Sequence, residues 1–408
     1  MPAAGLAAAA LLSAEVACRW WVRRRSGYYV WAPGTRFYLQ LDRGIFPDTG
    51  RPVRFAVNAD GERGSDVRGD EAGLYRVLVA GGSAAECFGL DQETSWPGAL
   101  ERLLAAPDAL GALGARRVHV GNISRSNVAS TDLDVILARV LPRYRRLAAI
   151  IIMVGAGDVV QWLEDGAPPS LPPVRIPTPK VFTWHPERPF GWKPKQWGIV
   201  EVARRLRRLW FRPWSEEESG AWYAAARKMR ADAKEVRTDT PDPTPMVDRF
   251  EHYLRQLLRR AKAHADRVLV VRQPWFEKDY TAEEVAHFWH GGVGKAWREK
   301  ITVYYSLEVV NRLMSLVDAR TATVAESCGV EQVDLRSVLE PSLRNYFDYT
   351  HFTPAGAAVV AQAVATAVVA LSTADPRALR DTCGCGATSG APAELTRREV
   401  RTHSGSGT

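Results

Sequence analysis

A three-layer α/β fold around a parallel sheet is predicted from two features of the sequence. Short, almost continuously apolar runs recur from about Tyr75 onward, and amphipathic helical runs alternate with them. Strands covered on both faces read as unbroken apolar runs, and strands separated by helices are joined by right-handed parallel crossovers.

Taken in order, the strands are expected at Val77–Ala80, Val118–Val120, Ala149–Val154, Val268–Val271 and Gln332–Leu335, the last being less apolar than the rest. Helices are expected at Trp96–Ala105, Thr131–Arg145, Val247–His264 and Tyr305–Ser327. A final Ala/Val-rich helix, Pro354–Leu371, should pack on the sheet. Ser95 ahead of Pro97 is a start signal, because serine caps orphan N–H groups and proline is tolerated in the first turn.

The regularity breaks between Val159 and Pro245. This stretch opens proline-rich (PPSLPPVRIPTPK) and then becomes rich in tryptophan and arginine, with seven of the fourteen tryptophans between Trp162 and Trp222. So long an irregular connection reads as an insertion with the character of a lid. Its Val200–Trp210 run reads as a basic amphipathic helix, either a cap helix with solvated arginines or a surface for a membrane or polyanion.

The N-terminal run Ala3–Cys18 is apolar apart from Glu15, shorter than the ~20 residues of a membrane span, and has no leading positive region. The RWWVRRR that follows suits an interfacial anchor or an amphipathic helix packed on the domain. The expected divisions are 1–57 as N-terminal segment and extension, 58–158 and 246–374 as the two halves of one domain, 159–245 as the insertion, and 375–408 as a disordered tail.

The formal net charge of +8 permits an anionic partner without requiring one. Five scattered cysteines (Cys18, Cys87, Cys328, Cys383, Cys385) argue against a disulfide framework, and Cys383 and Cys385 fall in the polar tail. There is no internal repeat and no phosphate loop, and no fold motif accompanies the basic helix, so no nucleic-acid partner is expected. His287-Phe288-Trp289-His290 has neither acidic nor cysteine partners nearby in sequence and reads as a surface or lid motif rather than a metal site.

Chemistry is expected where the strands end. Gly81-Gly82-Ser83 follows the first, Val120 through Asn127 closes the second, and Gly155-Ala156-Gly157-Asp158 follows the third. Phe347-Asp348-Tyr349-Thr350-His351-Phe352-Thr353-Pro354 leads into the last helix. A serine hydroxyl needs a base to become a nucleophile, and an imidazole needs an orienting carboxylate. Asp348 lies one turn before His351. Gly81 and Gly82 are expected to let the chain turn sharply and present Ser83, with N–H groups of the following helix facing a developing oxyanion.

These four blocks, in this order, resemble the SGNH/GDSL hydrolases, a family of serine esterases and acyltransferases on a flavodoxin-like parallel sheet. The resemblance runs from about Asn58-Ala59-Asp60-Gly61-Glu62-Arg63-Gly64 to Leu371, with 159–245 as an addition. It implies Ser83 as nucleophile and Asp348 and His351 as acid and base. It also implies an oxyanion hole from the N–H groups of Ser83 and Asn127 and the position of Gly157. Val271–Trp275 resembles the family's fourth strand end, and Asn311 stands where many members have asparagine. The sequence departs from the pattern at Gly82, a Gly-Gly-Ser variant of the first block, and at Gly157, where the family's asparagine would donate from its side chain. Loss of one such donor costs about two to three orders of magnitude in rate. Asn127 replaces a glycine, a substitution that asparagine tolerates better than most residues. The side chain of Asn122 or Asn127, or a group from the insertion, could replace the lost donor.

The resemblance implies no cofactor and no metal. It implies a serine ester hydrolase or acyltransferase working through an acyl-serine intermediate on short acyl esters of a glycan or small molecule, with the aromatic insertion shaping the pocket. The alternative is a catalytically weakened protein of the same fold that binds a polysaccharide or membrane surface, through the N-terminus or the basic helix. Many relatives carry an N-terminal anchor, so a membrane-associated or exported location is expected ahead of a cytoplasmic one.

Overall fold

The apolar runs form five parallel strands, Leu74–Gly81, Arg117–Asn122, Leu147–Met153, Ala265–Arg272 and Glu331–Asp334. They belong to a computed structural model that describes residues 2–42, 44–46, 52–67, 71–187, 190–191, 193–211 and 215–370; Cys383, Cys385 and the rest of the expected tail lie outside the described residues. Numbered along the chain, the strands lie side by side in the order 2-1-3-4-5, which is the flavodoxin-like order. Val77, Leu78, Val79, Ile150, Ile151, Ile152 and Leu269 are fully buried, as strands covered on both faces require. The weakly apolar fifth strand is an edge, and among its four residues only Val333 is buried.

Two groups of helices cover the sheet. Trp96–Leu104 packs on Pro354–Ala370, while Ser130–Val140, Thr244–His264 and Leu307–Ser327 pack together. Right-handed crossovers place the two groups on opposite faces. Ser95 caps as expected, its hydroxyl accepting from Gly98 N at 3.3 Å. The helix expected to reach Arg145 stops at Val140 and tightens into a 3₁₀ turn, Leu141–Arg143, where Pro142 removes a helical donor.

The N-terminal run is longer than the Ala3–Cys18 stretch read from the sequence. The apolar run continues through the RWWVRRR stretch as one 24-residue helix, Pro2–Arg25, because tryptophan and arginine sustain a helix that alanine starts. Its Ala4–Arg24 portion is long and apolar enough to cross a membrane by length and composition. One side packs on helix Gly198–Leu206: the Glu15 carboxylate accepts from Gly198 N (2.7 Å) and Ile199 N (3.0 Å), satisfying the orphan donors of that helix start. Leu12, Val16 and Trp20 form an exposed stripe on another side.

The basic run is helical as Gly198–Leu206 and then widens into a π turn, Arg207–Phe211. Its arginines are not all solvated. Arg205 is buried 4.0 Å over the Trp184 ring and donates to Glu201 at 3.0 Å. Beyond it, strand Ser215–Ser219 pairs in parallel with Arg36–Leu41, which pairs antiparallel with Val53–Ala56. Residues distant in sequence thus form a small second sheet beside the main one.

Candidate active site

Ligands collect in open α/β sheets where the strand order reverses, and here the reversal lies between the first and third strands. The first ends at Gly81, where a Cβ would overlap the Met153 carbonyl oxygen of the third strand. Close approach, rather than an unusual turn, is why glycine stands there. Gly82 has φ −85° and ψ −159°, ordinary extended backbone, so the expected sharp glycine turn is corrected. Ser83 opens a four-residue helix, Ser83–Glu86, that ends at Cys87 in the left-handed region, φ 53°.

The last loop brings the other candidates to this point. His351 Nε2 lies 2.7 Å from Ser83 Oγ, and His351 Nδ1 lies 2.8 Å from Asp348 Oδ2. Asp348 is fully buried, and its Oδ1 accepts from Thr350 N and His351 N, both at 2.9 Å. Burial alone would raise its pKa, but the charge of His351 and these hydrogen bonds hold it well below the usual carboxylate range. For His351 burial opposes the charged form, yet the Asp348 carboxylate more than offsets it and raises the imidazole pKa. An aspartate that stays ionised and a histidine tuned upward form a base able to take a hydroxyl proton.

Of the surface or lid motif expected at His287–His290, the surface half is corrected: the stretch packs against this pair. Trp289 Nε1 donates to Asp348 Oδ2 at 2.9 Å. His290 is buried and stacked on the Trp289 ring at 3.9 Å, its Nδ1 unpartnered among the described residues. Burial pushes its pKa down to about 3, so it remains neutral. Asn311 hydrogen-bonds the hydroxyl of Tyr349, inside the Asp348–His351 loop, at 2.6 Å. After the Val271–Trp275 stretch, Phe276 N donates to the Tyr349 carbonyl at 2.9 Å. No local pattern foretold the Trp289 contact, since its partner lies 59 residues away.

Among the described residues, His290, Asp348 and His351 are also the one group of donors spaced for a metal, within 4.8 Å of one another. Asp348 and His351 already share a hydrogen bond, so a cation would have to displace that proton.

The oxyanion candidates meet at the same end. Among the described residues, the backbone N–H groups of Ser83 and Asn127 have no hydrogen-bond partner. Asn127 has φ +60°, and Gln161 Nε2 holds its carbonyl at 3.1 Å. Glu86 braces the same loop through Ser126 N at 2.6 Å and the Ser126 hydroxyl. A Cβ on Gly157 would overlap the Val128 carbonyl oxygen, so the loop backbone fills the space of a side chain there. One N–H of the Asn122 amide is held by the Ala85 carbonyl at 2.8 Å.

Arg63, read in the sequence only as part of the Asn58–Gly64 stretch, fastens the Ser83 turn from behind. Its buried guanidinium donates to the carbonyls of Glu86 (2.6 Å), Cys87 (2.8 Å) and Leu90 (2.5 Å).

At Ser83 the space is about 20 Å³, bounded by Phe88, Tyr223 and Phe347. Such a volume suits one water or methyl group. Tyr223 belongs to helix Ala221–Ala231, in the stretch between the third and fourth strands. Arg227 on that helix donates to the carbonyls of Phe347 (2.9 Å) and His287 (3.1 Å), and Arg230 donates to that of His290. Two arginines therefore latch the helix onto the loop that carries Asp348 and His351 and onto the His287–His290 stretch packed against it.

No family model and no curated protein matches this sequence. Solved structures similar to it include Axe2, an acetylxylan esterase from Geobacillus stearothermophilus, at 13% identity over 72% of this chain and 94% of that one, with a TM-score of 0.38. Another is LAE5, an alpha/beta hydrolase from the metagenome of Lake Arreo, Spain, at 14% identity over 72% and 94%, with a TM-score of 0.38. At these values the likenesses carry no inference about the chemistry of this chain.

Proposed function

We propose that this protein is a serine ester hydrolase or acyltransferase of the SGNH type, acting through an acyl intermediate on Ser83. The observation that carries this reading is the relay from Ser83 Oγ through His351 to buried Asp348, 2.7 Å and 2.8 Å long. His351 Nε2 takes the hydroxyl proton as Oγ attacks the acyl carbon. The developing oxyanion accepts from the N–H groups of Ser83 and Asn127. His351 then returns the proton to the departing alkoxide, and water or an acceptor hydroxyl attacks the acyl-serine by the same route. The small space bounded by Phe88, Tyr223 and Phe347 favours a short acyl group such as acetyl.

The test is intact-mass analysis after treatment with a fluorophosphonate probe. A single adduct, absent from Ser83→Ala and from His351→Ala, is the expected result. Folded protein that takes up no probe would remove the reading. A binding role would then stand in its place, favoured by the filled space at Gly157, which excludes a side-chain donor at that position.

A further inference from the structure

A second, larger cavity of about 700 Å³ adjoins the space at Ser83. Four guanidinium-bearing residues line it, Arg36, Arg204, Arg207 and Arg208, of which Arg204 is ion-paired with Glu201, against one acidic residue among the described lining, Glu217. Its aromatic walls are Trp31, Phe37 and Phe88, and Phe88 also lines the space at Ser83. Phe88 is therefore common to the arginine groove and the space at Ser83.

The groove is a built feature. Phe37 lies on a strand paired with Ser215–Ser219 and stacks on Phe55 at 4.6 Å and 8°. Phe88 packs on both of these rings, at 5.9 and 5.6 Å. Trp31 Nε1 donates to the Ser124 carbonyl at 3.1 Å, within the loop that carries Asn127. One wall is thus tied to the oxyanion candidates and the other to the basic turn Arg207–Phe211.

We infer that this groove binds an acidic saccharide chain, and that the ester cleaved or formed at Ser83 is carried on such a glycan. The inference rests on the ester-transfer reading above. Guanidinium groups match carboxylates in fork geometry, and flat aromatic faces offer apolar area to sugar rings. A bilayer is the competing anionic partner, because Trp210 and Phe211 project from the same turn, 73% and 76% exposed. The arginines and rings, however, line a concave space that adjoins the acyl site, where a chain can lie and a bilayer cannot enter.

The test is titration calorimetry on the Ser83→Ala protein, which binds without turnover, using an oligogalacturonate and a neutral xylo-oligosaccharide of equal length. The acidic oligomer should bind far more tightly than the neutral one, and its affinity should fall as salt rises. Exposed Arg207 is the site to vary: Arg207→Gln should weaken binding about tenfold, and Arg36→Gln gives the same readout from the opposite strand. Equal binding of both oligomers, or no binding of the acidic one, overturns the inference. So does arginine-dependent binding to vesicles of phosphatidylcholine and phosphatidylglycerol when the acidic oligomer does not bind. The two readings fail separately. Probe labelling of wild-type Ser83 without oligomer binding removes the glycan site alone, whereas oligomer binding without labelling keeps the site and removes the reaction.

Discussion

Asp348 accepts hydrogen bonds from two backbone N–H groups, the His351 ring and the Trp289 indole, which is how a fully buried carboxylate stays charged. Trp289→Phe keeps an aromatic ring there but deletes one donor. A hydrogen bond to a charged group contributes about 1.5–3 kcal/mol, so kcat/KM for a small acetyl ester should fall about tenfold. Weaker bonding to the charged form makes Asp348 more basic and lifts His351 with it, so the acid limb of the pH profile should move upward. In the wild type that limb should lie above the ordinary imidazole value of 6.5, since His351 acts only when neutral. Its contribution to stability has the opposite sign: a raised pKa stabilises the fold below 6.5, and that stabilisation is lost as pH rises through the folded-state value. Gly157 makes a further test. Because Val128 fills the side-chain space, Gly157→Asn should not restore a donor; it should lower the melting temperature, with overpacking costing about 1–3 kcal/mol. A faster and equally stable variant would contradict this.

Among the elements, helix Ala221–Ala231 bounds the space at Ser83. Tyr223 closes the acyl space while Arg227 and Arg230 hold the helix down. Tyr223→Ala should therefore shift hydrolysis of p-nitrophenyl esters from acetate toward butyrate and hexanoate, read as the ratio of kcat/KM across chain lengths. An unchanged ratio would mean that another wall sets the length. The Asn58–Gly64 stretch was legible as the start of a resemblance but not as a brace. The Arg63 hydrogen bonds to carbonyls behind Ser83 span 23 to 27 residues, beyond any local periodicity. The Trp289 contact went unread for the same reason.

Across the whole molecule, ionisation couples the site to stability. Asp158, in the third block, accepts from Ser130 N (3.0 Å) and Ser130 Oγ (2.5 Å), joining the third strand's end to the start of helix Ser130–Val140. Burial, aided by the nearby Asp132 carboxylate, outweighs those bonds and raises its pKa from 3.8 to about 7. A raised pKa favours the protonated folded form, so this group's stabilisation is full below 3.8 and fades as pH rises through about 7. The melting temperature of the wild type, measured against Asp158→Asn, should decline across that window. Parallel curves would show that Asp158 is not what titrates.

The five strands, four of the helices between them and the capping of Ser95 were readable in the sequence because each depends on local apolar period or on neighbours a few residues away; helices Ala156–Glu164 and Ala221–Ala231 were not. The order of the four blocks also marked Ser83, Asp348 and His351 as candidates, since strand ends in a parallel sheet fall on one edge. Tertiary structure alone decided why Gly81 and Gly157 are glycines, what Trp289 and Arg63 hold, and how tightly the 159–245 stretch closes over Ser83. Those features consist of contacts between segments distant in the chain, and the burial and close approach that create them have no signature in any one segment.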